Sequence, residues 1–366
     1  MPNAPDVLIV GGGPAGAAAA CRLAGAGHDV LLCERQPQPR PQVCGEFLSA
    51  RAGAELADLG VSPKALGAAP ITHVRLIHGA RQVRAPLPSA ACGLSREALD
   101  ERLRQRAGER GARVGRGLAV RRLERSRDGW RITLGDGAAI EAPTVLLATG
   151  KHDLRAHRRP RPAGAGVVGF KMHWQLADAQ AAGLAGHVEL AWLDGGYAGL
   201  APIENGLANL CLVLSAEAFA RLGRSWERLL GHLEQAAPRL GARLDGARAL
   251  WPGPATIAGV PYGHLHQGGA ADRLYRVGDQ LAVIPSFAGE GIALALRTAR
   301  IAALAVGAGE TAAGYHRAAV RDVRRPLRAA CQLGYLTRTR VARRLVVELG
   351  RLPGVLPALA RAVRPD

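Results

Sequence analysis

The chain has 366 residues, of which 48 % are apolar and 4 % aromatic, with 47 glycines and 23 prolines. That composition can bury a large core and excludes wholesale disorder, and no window approaches the roughly 18 consecutive apolar residues of a membrane span. The formal charge of +18 invites a nucleic-acid reading, but only Lys64, Lys151 and Lys171 are lysines. Arginine beside abundant alanine and glycine reads as compositional bias, so no nucleic-acid partner is expected. The excess is uneven: residues 317–366 hold twelve arginines against Asp322, Glu348 and Asp366. Cys21, Cys33, Cys44, Cys92, Cys211 and Cys331 show no CxxC spacing and read as reduced thiols, with no metal site. The N-terminus has neither a basic leader nor a cleavage signal, so a cytoplasmic protein is expected.

Asp6 to Val10 read as a short apolar strand, followed by Gly11-Gly12-Gly13-Pro14-Ala15-Gly16 and an alanine-rich helix. A second strand from Asp29 to Cys33 ends at Glu34 and Arg35. Strand, glycine turn, helix, strand and acid together are the dinucleotide fingerprint. Gly11 permits the tight turn, Gly13 lets the backbone approach a pyrophosphate, and Gly16 lets helix and strand pack closely. The helix N-terminus at Pro14 and Ala15 offers N–H groups to that anion, and Glu34 is placed to bind a ribose 2′-OH. A second GxGxxG, Gly164 to Gly169, leads into the alternating run Phe170 to Trp174 and not into a helix. It is expected to be a loop and strand entry, which leaves one dinucleotide fold.

Further segments carry a family resemblance. Gly93-Leu94-Ser95-Arg96 opens a helix and resembles the arginine-bearing helix of class A flavoprotein monooxygenases and geranylgeranyl reductases. Val145 to Gly150, ending Ala148-Thr149-Gly150, is similar to the strand end of two-dinucleotide flavoproteins. Val277-Gly278-Asp279, then Pro285 and Gly289-Glu290-Gly291-Ile292, resembles the family's Gly-Asp motif and flavin helix. Gln42 to Phe47, with Cys44-Gly45-Glu46, resembles a stretch that lies beside the flavin in geranylgeranyl reductases. The resemblance spans about residues 6–315. It implies FAD as the bound nucleotide and an α/β fold: a Rossmann-like FAD-binding domain of the glutathione-reductase type, an inserted mixed β-sheet substrate domain and C-terminal helices. It also implies that Arg35, Cys44, Gly45, Arg96, Thr149, Gly150, Gly278, Asp279, Pro285, Gly289, Gly291 and Ile292 join the glycine loop and Glu34 in holding FAD.

The sequence departs from the family at Gly150-Lys151-His152-Asp153-Leu154-Arg155, where class A hydroxylases usually carry an Asp-Gly tied to NAD(P)H. The basic run Arg155, His157, Arg158, Arg159 and Arg161 reads either as a solvated loop or as a site for a 2′-phosphate. The Trp-x-Trp-x-Ile-Pro signature of flavin halogenases is missing around Gly196 to Pro202, which disfavours halogenation.

Residues 166–264 break the strand–helix rhythm and read as a β meander, with turn signals at Asp194-Gly195-Gly196 and Asn205-Gly206. Residues 71–88 read as two more short strands. The expected organisation is an FAD domain from 1–70, 91–160 and 267–315, a substrate domain from 71–90 and 161–266, and helices over 316–366. Phe47, Trp174 and Trp192 are candidates to line an apolar pocket, and His173 and Tyr197 are candidate catalytic residues. In the tail, Leu333, Leu336, Val341, Leu345, Val346, Leu349, Leu356 and Leu359 interleave with arginines at helical spacing. Those helices either cap the pocket or lie against an anionic bilayer, giving membrane association. The family implies hydroxylation of an apolar aromatic or polyketide-like small molecule by O₂ through a flavin C4a-hydroperoxide, with NAD(P)H as transient reductant. Reduction of isoprenoid double bonds, or electron carriage without a substrate of its own, are the alternatives.

Overall fold

The computed structural model describes residues 4–160, 166–267, 272–352 and 354–363. β1 (Val7–Val10) and β2 (Val30–Glu34) are apolar runs without alternation, as strands covered on both faces must be. Between them α1 (Pro14–Gly25) begins on a proline, whose fixed φ suits a first helical turn, and continues in alanines small enough to lie close to the sheet. β3 (Phe47–Leu48) and α2 (Ala50–Asp58) precede a hairpin of β4 (Ala69–His78) and β5 (Arg81–Gly93). This hairpin is longer than the two short strands expected over 71–88, because a register shift between Ile71 and His73 carries the pairing on to Gly93. α3 (Arg96–Glu109) is capped by the Ser95 hydroxyl, which accepts from the Ala98 N–H, and leads to β6 (Arg113–Arg116). β7 (Val120–Arg125), β8 (Trp130–Leu134) and β9 (Ala139–Ala142) form a small antiparallel sheet before β10 (Thr144–Leu147).

The chain continues through β11 (Val167–Gln175), α4 (Asp178–Leu184), β12 (Gly186–Leu193), β13 (Gly196–Pro202) and β14 (Ala208–Ser215). α5 (Ala216–Arg221), α6 (Trp226–Ala236), α7 (Pro238–Gly241), β15 (Arg248–Ala249) and β16 (Ala255–Val260) follow. β17 (Leu274–Arg276), α8 (Gly291–Gly307), α9 (Ala312–Leu336), α10 (Arg340–Leu349) and α11 (Val355–Val363) complete it. The second GxGxxG starts no helix: Val167 enters β11 directly, while Gly164 and Ala165 lie outside the described residues, as does Arg161.

One sheet is parallel throughout, in the order β17-β10-β1-β2-β6, with α1 packed between it and α8. The other is nine-stranded and mixed: β12 pairs in parallel with β4, and its other pairings are antiparallel. The mixed sheet has two different faces. Phe170, Met172 and Trp174 of β11 join Leu210, Leu212 and Leu214 of β14 in a core covered by Leu229 and Leu233 of α6. Their neighbours Lys171 and His173, with Cys211, Asn209 and Tyr197, must therefore face the other way, toward the parallel-sheet half. Among the described residues no helix is long and apolar enough to cross a membrane.

Candidate functional site

A cavity of about 460 Å³ lies between the two halves. One end is the glycine loop, where Gly11, Gly13, Pro14 and Ala15 line the wall. Gly11 holds φ +107°, and a Cβ there would sit 2.5 Å from the Ala148 carbonyl oxygen. Gly16 stands behind the loop and is not part of the wall; a Cβ on it would lie 1.9 Å from the Gly11 oxygen. The first turn of α1 has no side-chain cap. Its N–H groups and dipole are thus available to an anion such as a pyrophosphate.

Glu34 Oε2 accepts from the Gly12 N–H at 2.7 Å, and Oε1 accepts from the Gln36 N–H at 2.8 Å. The acid therefore ties the glycine loop to β2 while lining the cavity beside Arg35. Arg104 donates to the Gly12 carbonyl from the other side at 3.1 Å. Glu34→Ala is expected to weaken dinucleotide binding about tenfold, the effect of losing roughly one charge-assisted hydrogen bond. Titration of apo-protein with FAD checks this, and an unchanged affinity would reduce Glu34 to a bystander.

The cavity is also walled by Cys44, Gly45 and Phe47, by Arg96, and by Thr149 and Gly150 just after β10. Gly278 and Asp279 follow β17 on the same wall, and Gly289, Gly291 and Ile292 bring the N-terminus of α8 to it. The N-termini of α1 and α8 thus open on this space, while the start of α3 also reaches it with its N–H groups already taken by Ser95, Glu46 and Glu204. Such a field favours an electron-rich ligand and stabilises negative charge developed on it. Pro285 lies just outside the wall, between Ile284 and Ser286, which line it.

Glu46, which the Cys44-Gly45-Glu46 resemblance includes but does not single out as a site residue, is central here. It is fully buried, with φ +56°, yet lines the cavity. Its carboxylate accepts from the Arg96 backbone N–H at 2.6 Å, from His173 Nε2 at 2.6 Å and from Lys171 Nζ. Burial alone would push this carboxyl up; the His173 hydrogen bond and the Lys171 charge outweigh it and hold the group below the ordinary glutamate value. His173 does not itself line the cavity. It stands behind Glu46, its ring 4.8 Å from that of Trp251. The signal for this cluster was present in β11, where a lysine and a histidine at i, i+2 interrupt an apolar strand.

Ser286 Oγ is shared by two phenols, Tyr197 and Tyr262. Tyr262 and Ser286 line the cavity, and Tyr197 reaches it through Ser286. Desolvation pushes both phenols above their ordinary value, so both keep their protons at neutral pH. Lys151, in the segment that departs from the family, donates to the Val43 carbonyl at 2.7 Å and also lines this space. In the basic run, Arg159 is buried against Asp153 and the Asp279 carbonyl, so it is structural, while Arg155 lines the cavity.

Two pocket candidates are elsewhere. Trp174 belongs to the core under α6, on the face opposite His173, as the twofold alternation of a strand requires. Trp192 packs with Leu76, Val83, Val347 and Leu356 beneath α10 and α11. Among the described residues no group of three metal-ligating side chains occurs.

Residues 4–145 match the family model described as FAD binding domain. The chain is 31 % identical over 329 residues to menaquinone reductase of Mycobacterium tuberculosis, covering 81 % of this chain and 75 % of that protein. It is 27 % identical over 339 residues to digeranylgeranylglycerophospholipid reductase 1 of Methanothermobacter thermautotrophicus, covering 84 % and 79 %. Among solved structures, the flavin-dependent brominase Bmp2 superposes with a TM-score of 0.80 at 17 % identity, covering 98 % of this chain and 93 % of that one, a likeness of fold alone. The glycine loop, the uncapped N-terminus of α1 and the Gly278–Asp279 wall fit FAD, and with these matches the chain belongs to the FAD-dependent oxidoreductase superfamily of the class A flavoprotein monooxygenases and geranylgeranyl reductases.

Proposed function

We propose that this oxidoreductase reduces carbon–carbon double bonds in an isoprenoid-bearing lipid, with NAD(P)H as the transient reductant. The observation that carries the reading is that two relatives aligned over about four-fifths of the chain are named as reductases of menaquinone and of a digeranylgeranyl lipid. FAD supplies hydride transfer when bound. The chain's own residues supply the rest. Tyr262 and Ser286 hold hydroxyl protons at the cavity wall, with Tyr197 behind Ser286, where a reduced alkene needs one. Glu46, anchored by Lys171 and His173, fixes the start of α3 and with it the position of Arg96. The mixed sheet forms the proposed substrate side.

Hydroxylation of an apolar substrate by O₂ is the competing reading, and electron carriage without a substrate is a third. One experiment separates them. The holoprotein is incubated with NADH or NADPH and with menaquinone or a geranylgeranyl phospholipid, with and without air, and products are weighed by mass spectrometry. Gain of two hydrogens per bond without oxygen supports the reductase. A product formed only in air and heavier by one oxygen atom establishes hydroxylation, and flavin turnover with no altered lipid leaves a carrier.

A further inference from the structure

The end of the chain carries an apolar face that the described fold leaves uncovered. α10 turns Val347 inward, onto Leu76, Val83 and Leu356. Arg343 also turns inward and donates to Asp194 Oδ1 at 3.1 Å and to the Thr337 carbonyl at 2.7 Å. The opposite side of the helix presents Val341, Leu345 and Leu349, at i, i+4 and i+8, which are 70 %, 52 % and 50 % exposed. Tyr335, Leu336 and Leu352, next to α10 in the chain, are also exposed, at 69 %, 60 % and 55 %. Among the described residues the large exposed apolar side chains are these six and Leu304. Scattered single exposures need no explanation, but a cluster confined to residues 335–352 does.

We propose that this face docks on an anionic lipid bilayer, with α10 lying in the plane of the interface. Charge selects the occupant. Arg338, Arg344 and Arg351 are exposed around the apolar stripe, while Arg340, also exposed, pairs with Asp194. The one acid on the outer side of α10, Glu348, is in ion pairs with Arg81 at 3.1 Å and with Arg351 at 2.8 Å. Arginine stems lie along apolar surface while their guanidiniums bind phosphate oxygens in forked geometry, and leucine and valine enter the acyl boundary between them. Tyr335 sits under the Arg338 guanidinium at 5.2 Å, a pair suited to the headgroup level. A second copy suits the face poorly, because a twofold contact would bring the same arginines together.

The face also leads to the cavity. At Gly334, one residue before Tyr335, a Cβ would lie 3.2 Å from the Phe287 ring. Phe287 meets Tyr197 edge-on at 5.9 Å, and Tyr197 shares Ser286 with Tyr262. Docking would thus bring the bilayer close to the Phe287 and Tyr197 rings that pack behind Ser286, which suits a lipid substrate, although the docking itself does not depend on the reductase reading.

The test is co-sedimentation of full-length holoprotein with vesicles of phosphatidylcholine alone or mixed with phosphatidylglycerol. Binding at least about tenfold tighter to the anionic vesicles, and weakened by salt, is expected. The triple variant Val341→Ser, Leu345→Ser, Leu349→Ser should lose at least about tenfold in affinity while keeping its FAD, since all three side chains face solvent. The double variant Arg338→Gln, Arg344→Gln should lose about fivefold per charge, and it leaves the apolar stripe intact. Absence of vesicle binding, equal binding to neutral vesicles, or parental binding by either FAD-loaded variant overturns the proposal. So does a parent that runs as a dimer and becomes a monomer in the triple variant, because the face would then belong to a second copy.

Discussion

Gly16→Ala is expected to strip the protein of FAD. The added methyl would stand 1.9 Å from the Gly11 carbonyl oxygen and 3.2 Å from the Ala148 Cβ. The nearest of these contacts is backbone, on a turn already fixed by Gly11 at φ +107° and by the Gly11 N–H donating to the Cys33 carbonyl at 2.8 Å. No side-chain rotation relieves the clash, so α1 must move away from β1. Overpacking of this kind typically costs about 1–3 kcal/mol of stability, but the larger effect is on the ligand. The pyrophosphate site consists of N–H groups whose direction is set by the start of α1, and a displacement of even an ångström misaims them. The variant should purify with little flavin, read from the ratio of flavin to protein absorbance, while keeping helical circular dichroism. Stoichiometric FAD in Gly16→Ala would show that the glycine loop does not carry the nucleotide.

The glycine loop was legible because everything that defines it is local: an apolar run, glycines at fixed offsets, an alanine-rich helix and an acid at the end of the next strand. Asp279 and Arg96 were legible for the same reason, each beside a short motif at an element's end. The mixed sheet was legible as alternation, but a period of two says only that neighbours face apart and not which face meets the cavity. The helices α5 and α6 settle that by covering Phe170, Met172 and Trp174, which turns Lys171 and His173 toward the flavin side. The Glu46 cluster joins residues 125 and 127 positions apart, beyond any pattern a single sequence displays. Tyr262 and Ser286 meet in the same way, from two loops without periodicity. In the tail, amphipathic helices were legible, but Val341, Leu345 and Leu349 count as apolar wherever they point, and only the packing shows them facing out.

Glu46→Gln is expected to produce the largest loss of stability of any single conservative change at the site. Lys171 is fully buried, and its partners are the Glu46 carboxylate and, at 5.6 Å, the face of the Trp251 ring. Removing the carboxylate charge leaves an ammonium in the interior without its counter-ion, a change that costs about 3–5 kcal/mol, against a total stability of about 5–15 kcal/mol for a typical domain. The amide is also mismatched in hydrogen bonding, because its NH₂ would face donors where Glu46 accepts from Lys171, His173 and the Arg96 N–H. Glu46 keeps φ +56° despite the strain that conformation imposes on a residue with a Cβ, which these contacts offset. The sign of the pH dependence follows from the carboxyl being held below its ordinary value of 4.5. Its contribution is fully present above that value and is lost as pH falls through the lowered folded value, so the parent should weaken on the acid side and Glu46→Gln should lack that component. Urea unfolding of both proteins between neutral and acid pH measures it. Adding Lys171→Met to Glu46→Gln should restore part of the loss, because the unpaired charge is then gone. If Glu46→Gln unfolds at the parental midpoint, the cluster carries no coupling energy and its buried charges are held by something other than one another.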